Sequence, residues 1–250
     1  MTDAHHAGNA SVIDRTRVPL NAGFLKLVFS ATSNLFAKMF PAPGWVGSGG
    51  FAMESQCHSN WCWASVAQAV VRGYHPAATC TQRMLAERFV DKNLGGALPY
   101  DAPCIDLYDP DAVKQDDGLR YNRMGLLFSM LFDMDCFDHP EPNPGGPGPA
   151  DLPKVQEWIQ NKDANPPDPR VVCVRIQWPG GGDDGHFVLI DGFLPGTQKL
   201  HVRDPWYAPE GNEVTHAELV SNYHLKGGSW SHTLYTRRSK QSPSTICSGS

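Results

Sequence analysis

The run WASVAQAVV, residues 63–71, limits the possible folds more than any other stretch of the chain. Ala64, Val66, Ala67, Ala69, Val70 and Val71 are apolar, and Ser65, Gln68 and Arg72 form only a thin polar stripe. At helical spacing this is a helix that is apolar on most of its sides, so it must be covered from several directions. The chain has the means to cover it: 250 residues, of which 41% are hydrophobic and 19% charged, are enough for a sizeable globular core. Gly73 is the expected end of this helix.

The covering elements follow in two groups. TQRMLAERFV, residues 81–90, reads as a second helix with Thr81 as cap and Met84, Leu85 and Phe89 as its inner face. Residues 91–120 are turn-rich and acidic, and RMGLLFSMLFDM, residues 123–134, reads as a third helix. HPEPNPGGPGPADLP, residues 139–153, is a Pro/Gly-rich connector, after which Asp151 caps a helix running to about Gln160. From Arg170 the period changes. RVVCVRIQW, HFVLIDGF, KLHVRDPW and SHTLYTRR are short β-rich runs separated by turn residues, which predicts an antiparallel sheet. Helices first and strands later make an α+β chain, with a helical half at 51–138 and a sheet half at 151–240.

The ends look like appendages: an extension or pro-segment at 1–50 and a tail at 241–250. Within the first, Phe24, Leu25, Leu27, Val28, Leu35, Phe36 and Phe40 suggest a short amphipathic helix that docks on the domain. FPAPGWVGSGG then breaks any regular structure.

The net charge of −5, with no basic block, gives a nucleic-acid partner little support. No apolar run approaches the about 20 residues that a membrane span needs. The first residues lack a charged-then-apolar secretory pattern, so a cytoplasmic protein, or one exported by a dedicated secretion machine, is expected. The seven cysteines (57, 62, 80, 104, 136, 173 and 247) are odd in number and contain no CxxC pair. They read as reduced, mostly buried thiols of a reducing compartment, one of which is special. Cys104 and Cys136 carry no signal beyond burial.

The special one is Cys62. A cysteine nucleophile needs partial exposure, a stabilised thiolate and a base. Cys62 stands where the helix begins, so unpaired N–H groups and the macrodipole favour the negative sulfur. Burial of the rest of the helix makes the thiol a fixed object, which favours attack geometry. Gln56, six residues upstream in the loop, can turn its amide N–H toward an oxyanion forming beside Cys62, and the Cys62 backbone N–H is a second donor.

QCHSNWCWA resembles the active-site segment of papain-like cysteine proteases, on Gln56, Cys62, Trp63, Ala64 and Ser65. The resemblance implies a histidine that begins a strand well downstream. GGGDDGHFVLIDGF supplies His186, where Gly185 lets the backbone approach a substrate closely. It also implies a third residue further on, and KLHVRDPWY supplies Asp204, placed to hold the far nitrogen of the imidazole. Asp in that role is similar to the bacterial members of the superfamily: the effector proteases injected by plant pathogens and the peptidases that trim double-glycine leaders. The resemblance covers roughly residues 51–240 and implies a papain-like fold with a cleft between its halves. It further implies a cleft walled by Trp61, Trp63 and Trp206, a polypeptide substrate, no cofactor and no metal. The secreted papain-type disulfides have no obvious counterpart set here, which favours the cytosolic or injected branch. FPAPGW partly resembles the site at which the effector proteases cut themselves, which implies self-processing near Gly44.

Other readings stay open. Asp191, Asp183 and Asp184 compete with Asp204, although Asp191, five residues past His186 on one strand, points to the opposite face. Cys57, His58 and Cys62 resemble metal ligands, yet no second short-spaced pair completes a zinc site. The same triad serves amidases, isopeptidases and acyltransferases. A catalytically inactive papain-like binding module is the non-enzymatic alternative.

Overall fold

The computed structural model describes residues 44–47, 50–94, 104–117, 127–138, 148–161, 168, 170–180 and 185–248. The segment 24–40, the side chain of Phe89, Asp183, Asp184, Pro43 and most of the Pro/Gly connector lie outside the described residues. The described chain is a mixture of helices and one antiparallel sheet, an α+β arrangement. The strands are β1 (Val46–Gly47), β2 (Val172–Gln177), β3 (Gly185–Phe193), β4 (Lys199–Asp204), β5 (Ala208–Thr215) and β6 (Ser229–Tyr235). Their order is β5-β4-β3-β2-β6, with β1 paired to the end of β3 through Val46 opposite Phe193.

Alternation along the central strands explains how the sheet is covered. Val171, Cys173, Phe187, Leu189 and Leu234 face one core, which contains the apolar helix α1 (Cys62–Tyr74). Val172, Val174, Ile176, Val188, Ile190 and Val202 face a second core, with Val155 and Ile159 of α5 (Leu152–Gln160) and Leu219 of α6 (His216–Ser221). Both faces are buried, so these strands read as nearly continuous apolar runs. Around α1 lie α2 (Gln82–Leu94) and α4 (Leu127–Asp133), and between these in sequence comes α3 (Pro110–Asp117).

Gly73 does not end α1. A side chain at this position would meet the Phe51 ring 2.1 Å away, so the glycine lets Phe51 pack against the helix, which runs on to Tyr74. Asp151 caps α5 as expected, accepting from the Lys154 N–H at 2.8 Å. α3 lies in the stretch expected to be turn-rich, and no sequence pattern announces β5. β5 is an edge strand with Val214 as its one buried residue, so it has no apolar alternation to betray it. α6 is announced only by its capping box, Thr215 with Glu218.

Both ends of the domain reach further than their composition suggests. β1 brings residues ahead of Phe51 into the sheet. α7 (Pro243–Ser248) buries Ile246 and carries Cys247, so this stretch is not a free tail. The cysteine expectation needs correcting as well. Cys57 is bonded to Cys104, and Cys80 to Cys247. The partners are 47 and 167 residues apart, distances at which no local spacing rule applies. Cys104 is exposed rather than buried. Among the described residues the free cysteines are Cys62, Cys136 and Cys173. Burial pushes the Cys136 thiol up to about 12, and raises that of Cys173 as well, as befits inert core sulfurs. Among the described residues no helix is long and apolar enough to cross a membrane.

Candidate active site

Cys62 is the first residue of α1. The residue before it, Trp61, offers no side-chain cap, and the first turn carries no acidic residue. Cys62 therefore stands at the positive end of the helix macrodipole, which is directed at the thiol. Trp61 and Trp63 flank it but are almost fully buried in the core around α1. They seat the helix rather than wall a cleft, which corrects the sequence expectation. Trp206 is likewise buried.

The loop before Cys62 is held at almost every residue. The Gln56 N–H donates to Pro205 O at 2.9 Å, joining the loop to the segment just past β4. The Cys57 N–H donates to Gln82 Oε1 at 2.8 Å, and Gln82 Nε2 donates back to Ser55 O. The Gln56 side chain is turned inward, with Nε2 donating to His58 O and Ser59 O, each at 2.8 Å. Its amide hydrogens are therefore engaged with the loop, and its Oε1 has no partner among the described residues. Gln56 is thus the organiser of the loop in this state, not a donor swung free beside Cys62.

His186 lies near the start of β3, opposite Ile176 of β2. Its Nε2 is 2.8 Å from Asp204 Oδ1, and the Cys62 side chain is near enough to act on its ring. Asp204 occupies Nε2, which leaves Nδ1 as the ring nitrogen not engaged by the carboxylate. Burial is the strongest single influence on this imidazole and favours the neutral form. The Asp204 charge and hydrogen bond, followed by Cys62, outweigh it and push the imidazole up to about 10.

Asp204 ends β4 and is buried. Its Oδ1 also accepts from the N–H groups of Trp206 (2.8 Å) and Tyr207 (3.1 Å), and its Oδ2 accepts from Tyr223 Oη at 2.8 Å. His224 Nε2 stands 3.5 Å from Oδ2. Burial alone would raise this carboxyl; the His186 charge and hydrogen bond, and then His224, hold it well below the usual carboxylate range. Tyr223 is driven the other way, well above the ordinary phenol range, by burial and then by the Asp204 charge. It therefore stays a donor.

Tyr223 opens a turn closed by its bridge to Gly228. His224 and Leu225, with φ of 53° and 55°, both occupy the left-handed region. Such backbone costs on the order of 1–3 kcal/mol per residue and persists only where the surroundings dictate it. Here the surroundings are Asp204, which binds Tyr223, and the Tyr207 ring, 4.3 Å from that of His224.

Cys62, His186 and Asp204 thus meet in space, and Gln56 lies in the loop that leads to the sulfur. Gly185 has no room for a side chain, because the Arg175 guanidinium crosses it with Nε 2.5 Å from where a Cβ would stand. Asp191 turns away from His186 and binds His201 and Arg203. The zinc reading fails at its first ligands: Cys57 is in a disulfide and His58 is bound to Asp116. Among the described residues no group of three or more His, Cys, Asp or Glu suits a metal ion. Two residues of the site had no sequence signal, Tyr223 in a polar turn and Asp116 in an acidic stretch. A reduced Cys62 beside a charged imidazole with a fixed carboxylate behind it can attack a carbonyl and then protonate a leaving group. The chain matches no protein-family model and no curated protein.

Proposed function

We propose that the protein is a cysteine peptidase of the papain-like kind that hydrolyses peptide bonds at Cys62. The observation that carries this reading is the convergence of the Cys62 thiol on an imidazole whose other nitrogen is held by the buried Asp204. The thiolate adds to the scissile carbonyl carbon, and the electron pair of the C=O bond moves onto oxygen. The Cys62 N–H at the helix start receives that oxyanion, and Gln56 joins it only if substrate draws its amide away from the loop carbonyls. As the C–N bond breaks, His186 gives its proton to the departing amine and a thioester remains on Cys62. The now neutral His186 takes a proton from water, the hydroxide adds to the thioester, and the acid product leaves with the thiolate restored. Asp204 keeps the ring oriented and supports its positive charge throughout. The two disulfides fit work in an oxidising compartment, hence the exported rather than the cytoplasmic alternative.

The test is a mixed proteome incubated with the full chain or with its Cys62→Ala variant, followed by mapping of new protein N-termini. New termini are expected with the wild type alone, and the rate on a peptide spanning one such site should fall about 10⁴-fold or more in the variant. Equal sets of termini from the two proteins would refute the reading.

A further inference from the structure

We propose that Asp116 of α3 is a positioning residue for oxyanion stabilisation at Cys62. This rests on the acyl-transfer reading above. Asp116 is about 50 residues away in sequence, yet it delivers a buried carboxylate to the loop that leads into the nucleophile. One oxygen lies 2.7 Å from His58 Nδ1 and the other accepts from the Ser59 N–H at 2.8 Å. The carbonyls of the same two residues accept the Gln56 amide, and His58 O also accepts from the Trp61 N–H at 3.0 Å. Ser59 is therefore held at both its N–H and its C=O, three residues before Cys62. The His58 ring packs edge-on against Trp61, 4.3 Å between centroids. With these peptide planes fixed, the Cys62 N–H has one direction open to it, and Gln56 has a fixed parking place.

A carboxylate is an expensive group to bury and is kept where its geometry is needed. Oxyanion donors must stand within about 2.7–3.1 Å of an oxygen that exists only during reaction, and about 1 Å of misplacement costs roughly 10²-fold. Asp116 fixes the part of that geometry that belongs to the loop leading to the Cys62 N–H before substrate arrives. The same segment is fastened to the loop twice more, by the Cys57–Cys104 disulfide and by the Ile105 N–H donating to Cys57 O at 3.0 Å.

The experiment uses the full chain with Asp116→Asn, which keeps the shape, and Asp116→Ala. Four quantities are measured: kcat and KM on a peptide spanning a mapped cleavage site, the inhibition constant of a peptide aldehyde of that sequence, the rate at which iodoacetamide alkylates Cys62, and the melting temperature. Alkylation needs the thiolate and its imidazolium but no oxyanion donor, whereas the aldehyde adduct needs both. Asp116→Ala is expected to lower kcat and aldehyde affinity together by about 10²-fold, with KM and alkylation close to wild type. Asp116→Asn should fall between the two. The proposal is overturned if alkylation falls in step with kcat, if kcat is unchanged, or if the Asn variant cannot fold. Wild type and Cys62→Ala behaving alike on the peptide would instead sink the acyl-transfer reading, and this inference with it.

Discussion

Strands β3 and β4 carry two imidazole–carboxylate pairs that mirror each other, one buried and one with a half-buried imidazole. In one, His186 of β3 meets Asp204 of β4; in the other, His201 of β4 meets Asp191 of β3. The pairs look alike but differ in what surrounds them. Asp191 sits at a bulge between Ile190 and Gly192, which turns its carboxylate toward both His201 and Arg203, the latter at 2.6 Å. There the guanidinium and the imidazole share one carboxylate, Arg203 on Oδ2 and His201 on Oδ1. Among the described residues no guanidinium is bonded to Asp204. Besides His186 it is held by two backbone N–H groups and a phenol, with the His224 imidazole 3.5 Å from Oδ2. The outer side differs too: His186 meets a thiol, whereas His201 meets the edge of Trp45 and the bare backbone of Gly211. The two pairs thus differ in a guanidinium on one carboxylate and a thiol beside the other pair's imidazole.

The contrast breaks most easily at the histidines themselves. His186→Ala should lower kcat/KM on a cleaved peptide by about 10⁴-fold or more, while His201→Ala, if it folds, should leave it near wild type. Equal losses would mean that the two pairs are not functionally distinct.

The next effect is on the imidazole. In Asp204→Asn, burial acts on His186 with its main counterweight gone and only Cys62 opposing it, so the ring should titrate well below about 10. Asp191→Asn should leave it unmoved. NMR titration of the His186 ring proton reads this directly. The sign also carries into stability: a group raised in the folded state stabilises fully below 6.5, and loses that contribution as pH climbs through about 10. Wild-type melting temperatures should therefore fall across that interval more steeply than those of Asp204→Asn.

The smallest expected change sharpens the comparison. Tyr223→Phe removes one neutral donor from Asp204, a loss of about 1 kcal/mol or roughly fivefold in kcat/KM. A far larger loss would mean that the phenol does more than orient the carboxylate.

What the sequence made legible follows from what is local. The helix α1 and strands β2, β3, β4 and β6 stand out because their burial writes apolar runs into adjacent positions. β5 and α3 do not, since an exposed edge and a short charged helix such as PDAVKQDD look like loop. The three residues named from the Cys62, His186 and Asp204 segments do meet, each at the start or end of an element that is itself readable. Asp116 and Tyr223 act through contacts made 57 or 58 and 19 residues away in sequence, and nothing near them announces the partner. The disulfides escaped for the same reason. Gln56 shows a different limit: its position is readable, but the direction of its amide depends on which carbonyls the folded loop offers.

The Cys80–Cys247 link joins residues 167 positions apart and closes a covalent ring that contains the whole of β2 to β6. A single backbone nick anywhere inside this ring would leave both fragments riveted together, with His186 and Asp204 still tethered to the stretch that carries Cys62. Such a molecule survives a stray cut from a neighbouring protease as one particle, and comes apart only when a reductant reaches a sulfur pair packed under the last helix.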